Sequence, residues 1–330
     1  MISVIIPYYK SIDDLACLLN ALLKSDLTNT EILVVDDHSN DSVKELEAKY
    51  PIVVYSLEKN SGPAAARNAG AEKAQGGILF FLDADVEPGM EVLKIVEKEF
   101  NDEPGVGALC FISSPLVPGG NFFSNYGALI ENFWIKQLFP KNVDSIFIKG
   151  FATRNGAVRK KEFWSAGGFN TNYKTNAIED LEFGHRLSAV CKVKCLKFPT
   201  ISHKFPNTLH KICRNYYVRC KLYVEYAMTT KPGFDPVQSS RNELIMRMMA
   251  GISLILFFVT PLTTWAGLGA GALFVLYVVM AYKLMRYIAG MSGVVFALKA
   301  QLLHFVTSIV ICAGGTAGVV RYIIRRNSHA

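Results

Sequence analysis

Acidic residues are missing from the last part of this sequence: no Asp or Glu follows Glu243 in a chain of 330 residues. The whole chain is only 19% charged, and its mean hydropathy is +0.23. A mainly disordered chain combines low hydrophobicity with high net charge, so that class is excluded. The length also exceeds the usual ~100–200 residues of one domain, so more than one domain is expected.

Charge is divided unevenly along the chain. Up to His185 the sequence has 17 Lys or Arg and 25 Asp or Glu, and from Arg186 onward it has the remaining 18 and 3 of the totals 35 and 28. The net charge of +7 is therefore an average over an acidic front and a basic, apolar back. Nucleic acid is not the expected partner of the basic part, because that part adjoins apolar runs and suits anionic lipid better.

Cysteines are few and odd in number, seven in all, in a chain too long to depend on disulfides. The opening MISVIIPYYK has no positively charged start and no small-residue cleavage site. Both features predict a reducing, cytosolic setting for the front half. A zinc cluster is a weak alternative, because the second histidine pair does not match a finger spacing. Its candidate ligands are His185, Cys191, Cys195, His203 and His210.

The first hundred residues alternate strand and helix signals. Short apolar runs predict strands at 2–6, 31–35, 52–55 and 78–82. Helical spacing of apolar or small residues predicts helices at 12–23, 42–49 and 63–75. This alternation predicts a parallel sheet covered on both faces, in which ligands bind at the carboxyl ends of the strands.

The back of the sequence predicts helices at and in a membrane. Residues 207–230 form the pattern of a basic amphipathic helix that lies in the membrane interface, with a helix packed on its own domain as the alternative. Residues 244–282 are long enough for two spans with a turn near Pro261, and residues 302–320 for a third.

The number of crossings stays open at this stage. Lys283 and Arg286 after a two-helix hairpin would obey the positive-inside rule if the front half is cytosolic. A single further span would then carry the basic residues at 321, 325 and 326 to the opposite side, against that rule. Either residues 287–298 contribute another crossing or re-entrant segment, or the last segment breaks the rule.

Two carboxylates, one residue apart, follow the fourth predicted strand. Asp83 and Asp85 in FLDADV can converge on one hard cation such as Mg²⁺ or Mn²⁺, which would also bind phosphate oxygens. Alone this pair is weak evidence, since acidic turns are common. After the third strand, NSGPAAARNAG at residues 60–70 opens a helix with small residues, and its Arg67 can bind phosphate or fix the acidic loop.

The first and second strands end in two more motifs. Pro7, Tyr8 and Tyr9 end the first strand and offer an aromatic wall for a base. The second strand ends in VVDDHSND, where a carboxylate such as Asp37 can accept a hydrogen bond from a base N–H or a ribose hydroxyl. All four motifs therefore lie at the strand ends where such a sheet binds its ligand.

In this order and spacing, SVIIPYYK, VVDDHSND, NSGPAAARNAG and FLDADV resemble the nucleotide-sugar half of the family-2 inverting glycosyltransferases of GT-A fold. The motifs cover residues 2–87, and the likeness continues more loosely to about Leu187. The resemblance implies an α/β GT-A domain, Rossmann-like with a mostly parallel sheet, at residues 1–205, divided near 100 into nucleotide-sugar and acceptor halves. An amphipathic interfacial helix with a linker (206–243) and a transmembrane domain (244–330) would follow.

The resemblance also implies roles for the motif residues. Asp37 would read the uracil beside Pro7, Tyr8 and Tyr9. Asp85 would ligate Mn²⁺ or Mg²⁺ directly, and Asp83, the other member of the metal motif, would face the ribose or the sugar. The cation would neutralise charge on the departing nucleoside diphosphate.

An inverting transfer needs a base that takes the proton of the acceptor. The family places it in a Glu-Asp pair at the start of a helix, and NAIEDLEFGHR at residues 176–186 fits that pattern. Asp180 is the expected base, and Glu179 and Glu182 would hold its proton affinity up. The alternative is that three carboxylates merely favour a helix N-terminus.

Processive members of the family carry Q-x-x-R-W on the helix after the base, and here that stretch reads KICRNYY, residues 211–217. Transfer of a single sugar is therefore expected, with Arg214 meeting the donor diphosphate. The predicted activity is metal-dependent inverting transfer from a nucleotide-sugar, foremost a UDP-sugar, to a lipid or lipid-linked acceptor. The predicted location is the cell (inner) membrane, multi-pass, with an anionic surface around the protein and the catalytic domain in the cytosol.

Three alternatives to this activity stay open at the level of sequence. The first is a polyprenyl-phosphate glycosyltransferase, which would share the donor site. The second is a processive polysaccharide synthase, which the missing motif and the few spans disfavour. The third is a non-catalytic membrane scaffold, which the intact carboxylates disfavour. The oligomeric state is not predicted.

Overall fold

The computed structural model describes residues 1–173, 178–230 and 241–328. The chain divides into two compact units, Met1–Pro118 with Ile135–Lys204, and Gly119–Trp134 with Phe205–Ala330. Residues 174–177, which include the start of the predicted base motif, and 231–240, in the predicted linker, lie outside the described residues.

The described secondary structure has the following bounds. The strands are β1 (Ile2–Tyr8), β2 (Thr30–Asp36), β3 (Val53–Ser56), β4 (Ile78–Leu82), β5 (Val86–Glu87), β6 (Val106–Ser113), β7 (Ser145–Ile148), β8 (Asn155–Arg159) and β9 (Lys192–His203). The α-helices are α1 (Ile12–Leu22), α2 (Pro63–Lys73), α3 (Val92–Asp102), α4 (Phe122–Lys136), α5 (Lys160–Ser165), α6 (Glu179–Val190), α7 (Leu209–Thr230), α8 (Arg241–Val259), α9 (Thr264–Ser292) and α10 (Val294–Ser328). A 3₁₀ helix covers Val43–Ala48, where a short amphipathic helix is predicted.

The sheet of the first unit has the strand order β3-β2-β1-β4-β8-β6-β9-β5, with β7 paired to β9. Its first part is parallel as predicted, since β1 pairs in parallel with β2 and β4, and β2 with β3. Along β1, Val4 and Ile6 belong to one buried cluster and Ile5 to another. Successive side chains point to opposite faces, so both faces of the sheet are covered.

The second part of the sheet is mixed rather than parallel. Strand β8 pairs antiparallel with both β4 and β6, and β7 and β5 pair antiparallel with β9. Strands β6 and β9 pair in parallel, so the sheet combines two parallel parts that are joined by the antiparallel strand β8. Pairing of Val86 with His203 brings the residues after β9 beside the acidic turn that follows β4.

Three helices of the second unit, α8, α9 and α10, are long and apolar enough to cross a membrane. Helix α9 has 29 residues and includes Lys283 and Arg286, which the prediction placed after the end of the two-helix hairpin. Helix α10 begins at Val294 rather than near 302. Lys and Arg are good helix formers, so isolated basic residues do not end a helix.

Helix α4 groups with these C-terminal helices, although its position in the chain falls in the predicted acceptor half. Its Tyr126, Leu129 and Ile130 share a buried cluster with Ile212 of α7 and with residues of α9 and α10 such as Leu284. The apolar face of α4 therefore has its partners in the second unit. The predicted domain limits at 205 and 243 stay a prediction.

Candidate active site

Asp37 lies one residue past β2, and its side chain is buried. Its Oδ1 accepts the backbone N–H of Ser61 at 2.7 Å, and its Oδ2 accepts that of Gly62 at 2.8 Å. Gly62 has φ +88, which glycine adopts without strain. The carboxylate thus fixes the loop that opens α2, and its remaining lone pairs can still accept a donor. Base recognition by Asp37 stays a prediction.

The predicted aromatic wall is divided between the core and the surface. Tyr8 is 1% exposed, its hydroxyl donates to Asp41 Oδ2 at 2.5 Å, and it accepts the backbone N–H of Ser11 at 3.0 Å. Burial and the Asp41 carboxylate raise the pKa of Tyr8 to about 12. Tyr9 is 48% exposed, so it is the ring of the pair that a base could stack on. Pro7 is the next-to-last residue of β1 and is half-buried.

Arg67 joins the two acidic motifs from helix α2. Its guanidinium is buried; Nη2 donates to Asp83 Oδ1 at 2.6 Å and Nη1 to Glu179 Oε1 at 3.3 Å. The same group lies 5.6 Å from the centroid of the Phe169 ring. Of the two uses predicted for Arg67, the structure shows it fixing the acidic loop. Phosphate binding by Arg67 stays a prediction.

Asp83 and Asp85 occupy the turn between β4 and β5. The Asp83 side chain is 26% exposed. Burial, together with the Asp83 and Asp14 carboxylates, raises the pKa of Asp85 to about 7, although Arg154 opposes this. A partly buried carboxylate next to the Asp83 carboxylate is what a divalent cation would stabilise, so these two residues fit Mn²⁺ or Mg²⁺.

Metal-ligating side chains do not assemble in threes in the part of the chain that the structure describes. A cation at Asp85 and Asp83 would therefore complete its shell with water and substrate oxygens, as Mg²⁺ commonly does. The zinc alternative has no support among the same residues. Cys195 is instead buried beside Cys110 on the neighbouring strand β6.

The predicted base motif begins α6. Glu179 is 2% exposed, and burial, together with the neighbouring Asp180, raises its pKa although Arg67 opposes this. Both Glu182 oxygens accept from the Arg186 guanidinium at 2.7 Å, which offsets the Glu182 charge. Asp180 is partly exposed to solvent, whereas Glu179 is buried. Its role as the base stays a prediction.

The raised pKa of Glu179 makes a stability difference that depends on pH. The folded chain disfavours the ionised carboxylate, so the cost of burying Glu179 is absent below its ordinary pKa of about 4.3 and grows as pH rises above it. A Glu179→Gln variant should therefore gain stability relative to wild type between about pH 5 and 8. Unfolding temperatures of both proteins across that range would check this, and a difference that shrinks with rising pH would contradict it.

Two basic residues near Asp85, Lys204 and Arg154, could not be predicted from the sequence around them. The backbone N–H of Lys204 donates to the Asp85 carbonyl at 3.3 Å, and its ammonium pairs with Asp14. Arg154 precedes β8 and lies near enough to Asp85 to lower its pKa. Only the pairing of β5 with β9 brings residues 85 and 204 together. Arg214 lies exposed on α7 in the second unit, and diphosphate contact by Arg214 stays a prediction.

Acidic residues thus lie at the carboxyl ends of the second and fourth strands, which is where α/β sheets of this class bind their ligands. Residues 3–165 match the family model described as glycosyl transferase family 2. This part of the chain is therefore a family-2 glycosyltransferase domain, and the resemblance to that family and the GT-A fold class are confirmed.

Glycosyltransferase AglE of Haloferax volcanii is 33% identical over 142 residues, 40% of this chain and 43% of AglE. The mannosyltransferase PcManGT from Pyrobaculum calidifontis, solved with GDP-Man and Mn²⁺, has TM-score 0.58 at 18% identity, covering 96% of this chain and 86% of that one. S. aureus TarS 1-349 with UDP-GlcNAc has TM-score 0.51 at 16% identity, covering 94% and 90%. These structures share the fold. The chain spans between 14% and 43% of the length of the curated relatives it matches.

Proposed function

We propose that this glycosyltransferase moves one sugar, with inversion, from a nucleotide-sugar to a lipid or lipid-linked acceptor hydroxyl at a membrane. The observation that carries the proposal is the Arg67 bridge, which holds the metal-motif residue Asp83 and the Glu179–Asp180 pair in one cluster. Structural neighbours solved with UDP-GlcNAc and with GDP-Man support a nucleotide-sugar donor. A UDP-sugar is the donor we favour.

On the donor side, Asp37 accepts a hydrogen bond from the base and Tyr9 stacks on it. Lys204 and Arg154, which flank Asp85, bind the anionic diphosphate. Asp83, held by Arg67, accepts a hydroxyl of the ribose or the sugar. When bound by Asp85 and Asp83, Mn²⁺ or Mg²⁺ supplies positive charge that stabilises the leaving nucleoside diphosphate.

On the acceptor side, Asp180 takes the proton of the acceptor hydroxyl as its oxygen attacks the anomeric carbon. A new carbon–oxygen bond forms on one face of the sugar. The bond to the diphosphate oxygen breaks on the other face, and the nucleoside diphosphate leaves with the electron pair. The first turn of α6 is fixed through the buried Glu179, so Asp180 keeps its position during the transfer.

The membrane part of the proposal rests on the apolar helices. Helices α8, α9 and α10 cross or enter the cell membrane, and the first unit faces the cytosol. Exposed apolar side chains on these helices, such as Phe258 and Trp265, are 72% and 78% exposed and would face lipid. A membrane-embedded unit on the catalytic chain suits an acceptor that is itself a lipid.

The acceptor and donor can be identified in one experiment. Membranes containing the full chain are incubated with a panel of UDP- and GDP-sugars, and the lipid extract is analysed by mass spectrometry. We expect one lipid species to gain the mass of a single sugar unit from a UDP-sugar. A ladder of increasing sugar masses would instead show processive synthesis, and no donor consumption with any sugar would sink the enzymatic proposal.

Removing the Asp85 carboxylate should abolish metal-dependent turnover. In Asp85→Asn the hard anionic ligand is lost, so we expect transfer to fall by at least about 10²-fold at saturating Mn²⁺. Asp102→Asn is the matched control, because Asp102 is 62% exposed at a distant helix end. The measurement is donor consumption with and without Mn²⁺. Undiminished metal-dependent turnover in Asp85→Asn would remove Asp85 from the metal site.

A further inference from the structure

Helices α7 and α10 lie against each other and run in the same direction within the second unit. A Cβ added at Gly314 would lie 2.6 Å from the backbone oxygen of Tyr217, and one at Gly318 would lie 2.5 Å from that of Lys221. The contacts therefore advance by four residues along both helices. Two glycines four residues apart let the helix backbones touch, as in close packing of membrane helices.

Beside this seam the two helices border an open groove of about 750 Å³. One wall of the groove is apolar and comes from α10, at Ala313, Ala317 and Val320. Ala313 and Val320 are seven residues apart, so the apolar wall extends for about 10 Å along the helix axis. The groove is thus wide and apolar enough for a hydrocarbon chain.

The end of the groove toward the C-terminus of α10 is cationic. Lys221 of α7 and Arg321 and Arg325 of α10 line it. Glu225 pairs with Arg321 at 3.4 Å and also with Arg325, so one carboxylate faces two guanidinium groups. Among the described residues that line this groove and its neighbour of about 500 Å³, Glu225 is the single acid, and Arg326 adds a further positive charge.

We propose that this groove binds an anionic membrane phospholipid, with one acyl chain along Ala313–Val320 and the phosphate between Lys221 and Arg321. The inference rests on the proposed membrane placement and adds a defined lipid site to it. An apolar wall that ends in cations matches an apolar chain that ends in a phosphate, and Arg binds phosphate through paired N–H donors. A zwitterionic lipid offers the same chain, but its positive headgroup is repelled by the cationic end.

Native mass spectrometry of the full chain, released from nanodiscs of phosphatidylcholine and phosphatidylglycerol in equal amounts, tests this site. Wild type should retain phosphatidylglycerol at least about fivefold over phosphatidylcholine. Lys221→Gln/Arg321→Gln should lose that preference, and Ala317→Phe should lose the bound lipid because the ring fills the groove. Lys283→Gln/Arg286→Gln, which removes two exposed cations of α9, should retain it.

The outcomes separate this site from the proposed function. Retention of both lipids alike, or equal retention by the Lys221→Gln/Arg321→Gln variant and wild type, would overturn the site. Displacement of phosphatidylglycerol by equimolar polyprenyl phosphate would overturn it too, since the groove would then be an acceptor site. Release of wild type from membranes by sodium carbonate would instead refute the membrane placement. Unchanged unfolding temperature of Ala317→Phe in detergent would show that its lost lipid does not reflect misfolding.

Discussion

Asp180→Asn is expected to transfer sugar about 10²–10⁴-fold more slowly than wild type, because asparagine cannot take the acceptor proton. Glu179 cannot replace it, since its carboxylate is buried and held by Arg67. The measurement is the initial rate at saturating donor and acceptor, with the affinity for the nucleoside diphosphate determined separately. That affinity should be unchanged, because the proposed role of Asp180 is on the acceptor side.

Glu182→Gln is the matched control for this prediction. Glu182 lies two residues further on the same helix and pairs with the partly exposed Arg186. Removing the Glu182 charge should therefore change the transfer rate little. A wild-type rate for a folded Asp180→Asn protein would show that the base lies elsewhere. A loss of less than about tenfold would favour a phosphate acceptor, whose oxygen is already ionised and needs no strong base.

Arg67→Met is expected to lower the free energy of unfolding of the first unit by about 3 kcal/mol, the lower end of the usual range for breaking a buried ion pair. Met keeps most of the side-chain volume but leaves Glu179 buried without its cation. The lower end applies because Asp83 keeps 26% of its side-chain surface in solvent. Thermal or urea unfolding of the full chain in detergent measures the loss.

Two comparisons isolate the buried charge as the cause. Arg186→Met breaks a pair whose arginine is 33% exposed, so it should cost about 0–1 kcal/mol. Arg67→Met/Glu179→Gln should recover part of the stability lost in Arg67→Met, because it removes the unpaired buried charge. Equal losses in Arg67→Met and Arg186→Met would mean that the Arg67 bridge contributes little.

The early elements of the fold follow from short-range pattern. Strand β4 has the bounds that the apolar run 78–82 predicts, and α2 begins at the proline that favours a first helical turn. The acidic motifs follow these strands directly, so their common edge of the sheet is predictable from periodicity and strand direction alone. Local pattern is sufficient here because β1, β2 and β4 are buried along most of their length and each motif is contiguous.

The contacts that organise the site are not local, and the sequence did not reveal them. Arg67 and Glu179 are 112 residues apart, and either residue taken alone has an ordinary surface interpretation. Lys204 reaches Asp85 only because β9 pairs antiparallel with β5. Tyr8 looks like a ligand-facing aromatic in sequence, yet its place on a central strand buries the ring. Long-range pairing decides these cases, and no periodicity encodes it.

Helix α4 has a consequence for how the protein is made. Its buried partners Leu284, Ile288 and Leu303 are synthesised more than 150 residues after Tyr126 and Leu129. At about 5–20 residues per second, roughly 10–35 s pass between the synthesis of α4 and that of these partners in α9 and α10. During that time this part of its apolar face has no partner in α9 or α10. Helix α4, which lies within the family-matched residues 3–165, therefore completes its packing only after α9 and α10 have been made. A chain stopped at residue 204 would leave its apolar face without these partners.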